Sequence, residues 1–140
     1  MELIIDKLKK LIDAGLNFDE ICAKINAYKE KTHLNFALES LDNLAKNGRI
    51  SPAVAKVAKM LKIRIIGRPD DGKLTPIGKA RGAKKTISYL IKDMEEHGFS
   101  NGRVIIAHIL NEEGGTTLKQ TILATPPAAS VERREARGLC

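Results

Sequence analysis

The sequence is poor in aromatic residues: it contains no tryptophan, two tyrosines and three phenylalanines. This scarcity disfavours proteins that stack single-stranded nucleic acid on aromatic rings, and it requires a core of aliphatic side chains. No apolar run approaches the roughly 18 residues that a membrane-spanning helix needs, so we expect no membrane span. The early acidic residues Glu2 and Asp6 are not typical of a signal peptide, which favours a cytoplasmic location.

Metal-binding and catalytic motifs are also missing. The two cysteines, Cys22 and Cys140, lie at opposite ends of the chain, and the three histidines, His33, His97 and His108, have no partners at ligand spacing. Such scattered residues do not define a Ser–His–Asp arrangement. We therefore predict free thiols, no metal, no cofactor and no catalytic residue, with His108 a hydrogen-bonded core or edge residue of an apolar strand.

Two glycine-containing segments require comparison with phosphate-binding loops. Residues 78–85 (GKARGAKK) have three residues between the glycines instead of four, and Ala83 separates the second glycine from the lysines. Residues 114–117 (GGTT) follow Glu112 and Glu113, which would repel a phosphate group. We predict the start of a helix at the second segment, and a phosphate site at neither.

Positive charge is concentrated in the middle of the sequence. Residues 46–85 carry twelve basic and two acidic residues, a net charge of +10, whereas the whole chain carries +7. Such a concentration favours an anionic partner without identifying it.

Hydrophobic periodicity and capping residues predict six helices and five strands. The helices are predicted over residues 2–13, 18–31, 41–46, 52–62, 82–97 and 112–123, and the strands over 32–38, 63–67, 74–80, 104–110 and 130–136. The second and third strands form a hairpin, and the fourth is expected to be central. This order predicts one α/β (α+β two-layer) domain over residues 1–140, with a mixed β-sheet and helices packed mainly on one face.

Two segments carry a family resemblance. Residues 41–51 (LDNLAKNGRIS) lead into a helix that Ser51 caps and Pro52 begins. Residues 71–85 (DGKLTPIGKARGAKK) follow after that helix and an isoleucine-rich strand. In this order they resemble the L-x-x-L-x-x-G-G-R-I-S and D-G-x-x-x-P-x-x-K-x-R-x-x-K-K segments of the DegV family, with Asn47 replacing the first glycine. The strand of His108 and the ending EARGLC are also similar.

The resemblance implies a two-domain protein that buries a long-chain fatty acid between its domains. It places the carboxylate ligands in an N-terminal domain and on a histidine near the C-terminus, both outside this chain. We therefore expect the chain to be the C-terminal domain of such a protein, without the N-terminal domain and the final segment. Some family members present the acyl chain to a separate fatty-acid kinase.

The candidate site combines cations with aliphatic side chains. The resemblance maps two family arginines to Arg49 and Arg81, near the mouth of the site and the kinase-docking surface, and Lys79 shares the strand face of Arg81. A fatty acid needs a long apolar slot, and burial of each methylene contributes about 0.8 kcal/mol. The predicted slot residues, of which the helical ones are expected to face inward, are Val54, Val57, Ala58, Leu61, Ile63, Ile65 and Ile77.

Less specific roles are open for the two arginines. Arg49 could tie its loop to a carbonyl or carboxylate group, and Arg81 could belong to a solvated basic face. Two alternatives to a non-catalytic fatty-acid carrier are a small basic nucleic-acid-binding domain and a structural fragment without a ligand. The nucleic-acid alternative lacks a recognisable helix-turn-helix or zinc module.

Overall fold

A computed structural model of the chain describes residues 1–70, 73–100, 102–125 and 130–135. The helices are α1 (Glu2–Asp13), α2 (Phe18–Glu30), α3 (Asp42–Lys46), α4 (Pro52–Met60), α5 (Gly82–Glu96) and α6 (Glu112–Ala124). The strands are β1 (Phe36–Leu38), β2 (Ile63–Asp70), β3 (Lys73–Arg81), β4 (Arg103–His108) and β5 (Ser130–Glu135). The predicted α/β class is therefore confirmed, and the elements follow the predicted order. Within the described ranges, no helix has the length and apolar character needed to cross a membrane.

The chain divides into two compact units, Met1–Leu34 and Asn35–Cys140, which we call the helical unit and the sheet unit. In the helical unit α1 packs against α2. Helix α2 begins at a capping box: the Asn17 side chain accepts from the Glu20 N–H at 3.0 Å, and the Glu20 carboxylate accepts from the Asn17 N–H at 3.1 Å. These bonds satisfy two backbone donors that a helix start leaves without intrahelical partners.

Strand β1 is shorter than the sequence predicts. Only Phe36–Leu38 pair with β2, so the prediction of a strand over residues 32–38 is wrong for its first four residues. Thr32 instead continues the end of α2, because its N–H donates to the Lys29 carbonyl and its hydroxyl to the Tyr28 carbonyl.

The sheet unit contains an antiparallel sheet in the order β1-β2-β3. Its β2–β3 ladder confirms the predicted hairpin, whose turn residues Asp71 and Gly72 lie outside the described residues. Helix α4 covers one face of this sheet, because Ala55 and Ala58 pack into a core cluster with Ile63 and Ile65 of β2.

Helix α5 covers the opposite face. Ile66 alternates with its neighbours on β2, points to this face and is fully buried. Its partner Gly78 lies against Tyr89 of α5, where an added Cβ would be 2.5 Å from the ring. Because β2 is apolar on both faces, the helices are divided between the two faces instead of packing mainly on one.

Strands β4 and β5 form a parallel pair, and α6 supplies the crossover that parallel neighbours require. Their core consists of Ile106, Ile122 and Val131, one residue from each element. The sequence predicted one mixed sheet. Among the described residues, the antiparallel strands β1, β2 and β3 form one sheet, and the parallel strands β4 and β5 form another. Within the described residues β4 pairs with β5 alone, so the central position predicted for it is not observed there.

Candidate functional site

Helix α4 begins as the sequence predicts. The Ser51 hydroxyl accepts from the Val54 N–H at 3.3 Å, and Pro52 occupies the first helical turn. The preceding turn places Gly48 at φ +67°, whereas Asn47 has a negative φ. Asn47 therefore replaces a family glycine at a position where this chain does not need left-handed backbone.

The large apolar residues of α4 and its C-terminal cap lie at its exposed surface. Val54 and Val57 are each 54% exposed, Leu61 is 44% exposed and Met60 is 75% exposed. The prediction that Val54, Val57 and Leu61 face inward is therefore wrong. The helix instead buries Ala55 and Ala58, one turn apart, and these small residues allow it to approach the sheet closely. We call Val54, Val57, Met60 and Leu61 the α4 surface.

The other predicted slot residues occupy a different layer. Ala58 is buried, and Ile63 and Ile65 pack against the same core cluster as Leu41. Ile77 is half-buried on β3, and its carbonyl accepts from the Tyr89 hydroxyl at 2.8 Å. The sequence predicted that all seven residues line one apolar slot. In the structure, some of them belong to the exposed α4 surface and others to the packed core beneath it.

Two of the predicted cations project from the sheet face that α4 covers. Lys79 is the cross-strand partner of Ile65, and Arg81 is the partner of Ile63. Directly opposed residues of an antiparallel pair project to the same face. The exposed ends of Lys79 and Arg81 therefore lie on the same side of the sheet as the α4 surface.

These cations are available to an external partner. The exposed side chains of Arg49, Lys79 and Arg81 form no hydrogen bond or ion pair within the described ranges. The alternative in which Arg49 ties its loop through its side chain is therefore not observed there; its backbone N–H makes that connection, donating to the Leu44 carbonyl at 2.9 Å. We call Arg49, Lys79 and Arg81 the cationic set.

Neighbouring cations do have acidic partners. Lys59 lies 3.6 Å from Asp42, and Arg64 pairs with Glu39. Hydrogen bonding by Ser40, followed by the charge of Lys59, lowers the pKa of Asp42 below its usual value of 3.8. The cationic set thus differs from Lys59 and Arg64, which already have acidic partners.

The α4 surface is open, and the two cavities that we describe in the sheet unit are lined by other residues. One, of about 240 Å³, is mainly apolar. Its lining residues are Ile91, Met94, Glu95, Phe99, Ser100, Ile122 and Thr125. The second, of about 480 Å³, lies at the ends of β4 and β5, and its lining residues are His108, Leu110, Glu112, Arg133 and Glu135.

Two residues of these surfaces, Met60 and Arg133, were not predicted from the sequence. Met60 belongs to the α4 surface, and its spacing of three residues from Val57 was the signal that could have revealed it. Arg133 lies 3.5 Å from His108, a contact between distant parts of the chain that periodicity does not encode. No cluster of metal-ligating side chains occurs in the part of the chain that the structure describes.

Comparison with known proteins identifies the relatives of this chain. It matches the family model named "Uncharacterised protein, DegV family" over residues 1–139. A DegV domain-containing protein of Streptococcus pyogenes serotype M3 is 40% identical over 141 residues, covering 100% of this chain and 50% of that protein. The chain thus spans about half the length of the curated relatives it matches.

Two solved structures are closely similar. A DegV family protein from Eubacterium eligens, loaded with heptadecanoic acid, has a TM-score of 0.86 and 37% identity, covering 99% of this chain and 51% of that chain. The Fatty Acid Kinase (Fak) B3 protein of Streptococcus pneumoniae, loaded with linoleic acid, has a TM-score of 0.85 and 39% identity, covering 99% and 50%. Both were solved with a long-chain fatty acid.

Proposed function

Because the chain belongs to the DegV family, we propose that it forms part of a long-chain fatty-acid carrier and is the C-terminal domain of a two-domain protein. In this proposal the acyl chain lies against the α4 surface and is enclosed by a second domain that supplies the carboxylate ligands. The carrier is non-catalytic and cytoplasmic, and it uses no cofactor besides the bound fatty acid. The fatty acids in the Eubacterium eligens and Streptococcus pneumoniae structures support this assignment.

One observation in this chain carries the proposal: the exposed α4 surface lies on the same sheet face as Lys79 and Arg81, cations that have no ion-pair partner among the described residues. Val54, Val57 and Leu61 follow the i, i+3, i+7 spacing of one helix side and remain accessible. Each methylene buried against them would contribute about 0.8 kcal/mol, so the tail supplies most of the affinity. Arg81 and Lys79 suit the anionic end of the ligand or an acidic partner surface.

The buried residues of the predicted slot have a supporting role. Ala58, Ile63 and Ile65 hold α4 against the sheet, and they set the depth at which the α4 surface lies. Ile77 lies on the adjacent strand β3, and we propose that it adds apolar surface two residues before Lys79.

We further propose that the cationic set docks a separate fatty-acid kinase. Arg49, Lys79 and Arg81 are exposed and have no ion-pair partner among the described residues, as a surface for an acidic partner requires. The similarity to the Fatty Acid Kinase (Fak) B3 protein supports a kinase as that partner. The nucleic-acid alternative would use the same cations, but it leaves the exposed apolar α4 surface without a role.

The carrier function is tested by extracting the full-length protein with organic solvent and analysing the extract by mass spectrometry. We expect a co-purified fatty acid in roughly stoichiometric amount, and saturable rebinding of a labelled 18-carbon acid after delipidation. A protein that is purified without lipid and fails to bind the labelled acid would contradict the proposal. A gel shift of random duplex DNA that weakens steeply with salt would favour the nucleic-acid alternative.

A further inference from the structure

A crevice of about 480 Å³ lies where the parallel strands β4 and β5 end and α6 begins. Its volume is in the range of small-molecule sites. Ligands of α/β proteins commonly bind outside the carboxyl ends of parallel strands, which is where this crevice opens. It shares no lining residue with the α4 surface, so the inference drawn from it does not rest on the proposed function.

A buried glycine shapes the crevice wall. An added Cβ at Gly115 would be 3.0 Å from Cδ2 of His108 and 3.3 Å from Cδ of Arg133. Glycine inside a helix is destabilising relative to alanine, so its presence there needs a structural reason. Here it allows an imidazole and a guanidinium to pack against the same point of α6, with Arg133 Nη1 3.5 Å from His108 Nε2.

Arg133 is held by an internal carboxylate that is easily displaced. Its Nη2 donates to Glu112 Oε1 at 3.1 Å, and its Nη1 donates to the Glu112 carbonyl oxygen at 3.4 Å. The Glu112 side chain is 78% exposed, and an exposed ion pair contributes little to stability. A ligand carboxylate that takes the place of Glu112 would therefore face little competition.

Two further features of the crevice concern the fit of a ligand. His108 Nδ1 is buried and has no hydrogen-bond partner in the described part of the chain. A ligand acceptor that reached this nitrogen would satisfy it. Leu110 is 91% exposed and has φ +50°, a conformation that non-glycine residues rarely adopt. It offers an apolar contact at the lip.

From these contacts we propose that the crevice binds a small organic monocarboxylate with an aliphatic substituent. The carboxylate replaces Glu112 on Arg133, and the substituent contacts Leu110. A monoanion adds one negative charge beside Glu112 and Glu135, whereas a phosphate dianion would add two and be repelled more strongly. A free short-chain acid and the C-terminus of a peptide that ends in an aliphatic residue present the same chemistry.

The test is an NMR titration of the full-length protein with hexanoate at constant ionic strength, following the His108 ring and the Gly115 amide. We expect saturable shifts. Arg133→Gln should weaken binding by about tenfold, the effect of losing one charge-assisted hydrogen bond. Glu112→Gln should tighten binding, because the internal competitor loses its charge. The matched control Arg134→Gln changes the next residue along β5, which pairs with Glu132, and it should leave the affinity unchanged.

Further titrations distinguish a free acid from a peptide C-terminus as the ligand. They also test whether binding at the crevice is independent of the α4 surface. A dipeptide ending in leucine is compared as free acid and as amide, and inorganic phosphate is titrated in parallel. The hexanoate response should persist in a Val57→Asp background, in which the α4 surface is disrupted. The proposal is overturned if neither carboxylate gives saturable shifts, if phosphate binds as tightly as hexanoate, or if Arg133→Gln binds normally. Should Arg133→Gln fail to fold, an unchanged affinity in Glu112→Gln would overturn it.

Discussion

Arg81 lies directly opposite Ile63 on the β2–β3 ladder, so its side chain leaves the sheet on the face that α4 covers. The same relationship joins Lys79 to Ile65 one pair further along. Alternation along two strands thus places cationic groups on the side of the sheet where α4 exposes valine and leucine. The apolar side chains suit an acyl tail, and the neighbouring cations suit an acidic partner surface.

The α4 surface is expected to tolerate apolar replacement and to reject charge. Val57→Asp should reduce the affinity of the full-length protein for an 18-carbon fatty acid by at least about tenfold, because a carboxylate would have to be desolvated beside the acyl chain. Binding is measured with a fluorescent fatty acid after delipidation. The matched control is Ser88→Asp, which adds the same charge at an exposed position of α5. Equal loss in both variants would indicate a general effect of charge.

We expect the cationic set to contribute to binding of the kinase and not to binding of the fatty acid. Arg81→Glu should weaken association with a fatty-acid kinase and make the remaining binding less sensitive to salt, because rim charges mainly steer encounter. The affinity for the fatty acid should change little. Surface plasmon resonance at several ionic strengths measures the association, with Lys92→Glu on α5 as the control. Retention of normal kinase binding by Arg81→Glu would exclude this residue from the docking surface.

The sheet unit depends on a buried carboxylate between β2 and α5. Asp93 accepts from Arg68 Nη2 at 2.7 Å and from Asn35 Nδ2 at 2.9 Å, and its side chain is 8% exposed. Arg68→Met should lower the free energy of unfolding by about 2–3 kcal/mol, because the buried Asp93 side chain would lose its hydrogen bond from the Arg68 guanidinium. Urea denaturation measures the change. Lys92→Met, which breaks the exposed pair with Glu96, should cost less than about 0.5 kcal/mol.

Close contact between Gly78 and Tyr89 predicts a strong coupling. Gly78→Ala should destabilise the protein by about 1–3 kcal/mol, because the new methyl group would overlap the tyrosine ring. Tyr89→Ala should remove the overlap while losing the hydrogen bond to the Ile77 carbonyl. The double variant should therefore be more stable than the sum of the single changes predicts. Strict additivity in urea denaturation would show that the ring does not limit the space at Gly78.

Acid should weaken the parallel pair through Glu132. Hydrogen bonding from Arg134, followed by that from Arg103, lowers the pKa of this carboxyl group below its usual value of 4.5. A lowered folded-state pKa means that the ionised form contributes stability above the unfolded-state pKa, and that this contribution is lost as pH falls through the folded-state value. Urea midpoints of the natural protein and of Glu132→Gln should therefore converge between neutral pH and pH 3. A constant difference over that range would contradict the assignment.

Local chemistry made most of the elements predictable. Ser51 and Pro52 specify the start of α4, and Asn17 specifies the start of α2, because capping groups act on the next few residues only. The hairpin of β2 and β3 follows from two apolar runs around a turn sequence. Membership of the family was also accessible, since its motifs occupy short contiguous segments.

Packing between distant segments was not predictable in the same way. The apolar periodicity of α4 is compatible with burial of either of two adjacent helix sides, one with Ala55 and one with Val54. Which side is buried depends on how closely the helix packs on the sheet, and the structure buries Ala55. The contact between Arg133 and His108 requires the parallel register of β4 and β5 and a glycine on α6. Neither condition leaves a local signal, so sequence analysis named His108 without its partner.

Photo-crosslinking of a bound fatty acid tests the central claim most directly. The full-length protein is delipidated, loaded with an 18-carbon acid that carries a diazirine near its methyl end, irradiated and digested for mass spectrometry. We expect labelled peptides from residues 52–62, with competition by unlabelled fatty acid and loss of labelling in Val57→Asp. Saturable, competed labelling that is confined to other segments would contradict the claim that the α4 surface forms a wall of the lipid site.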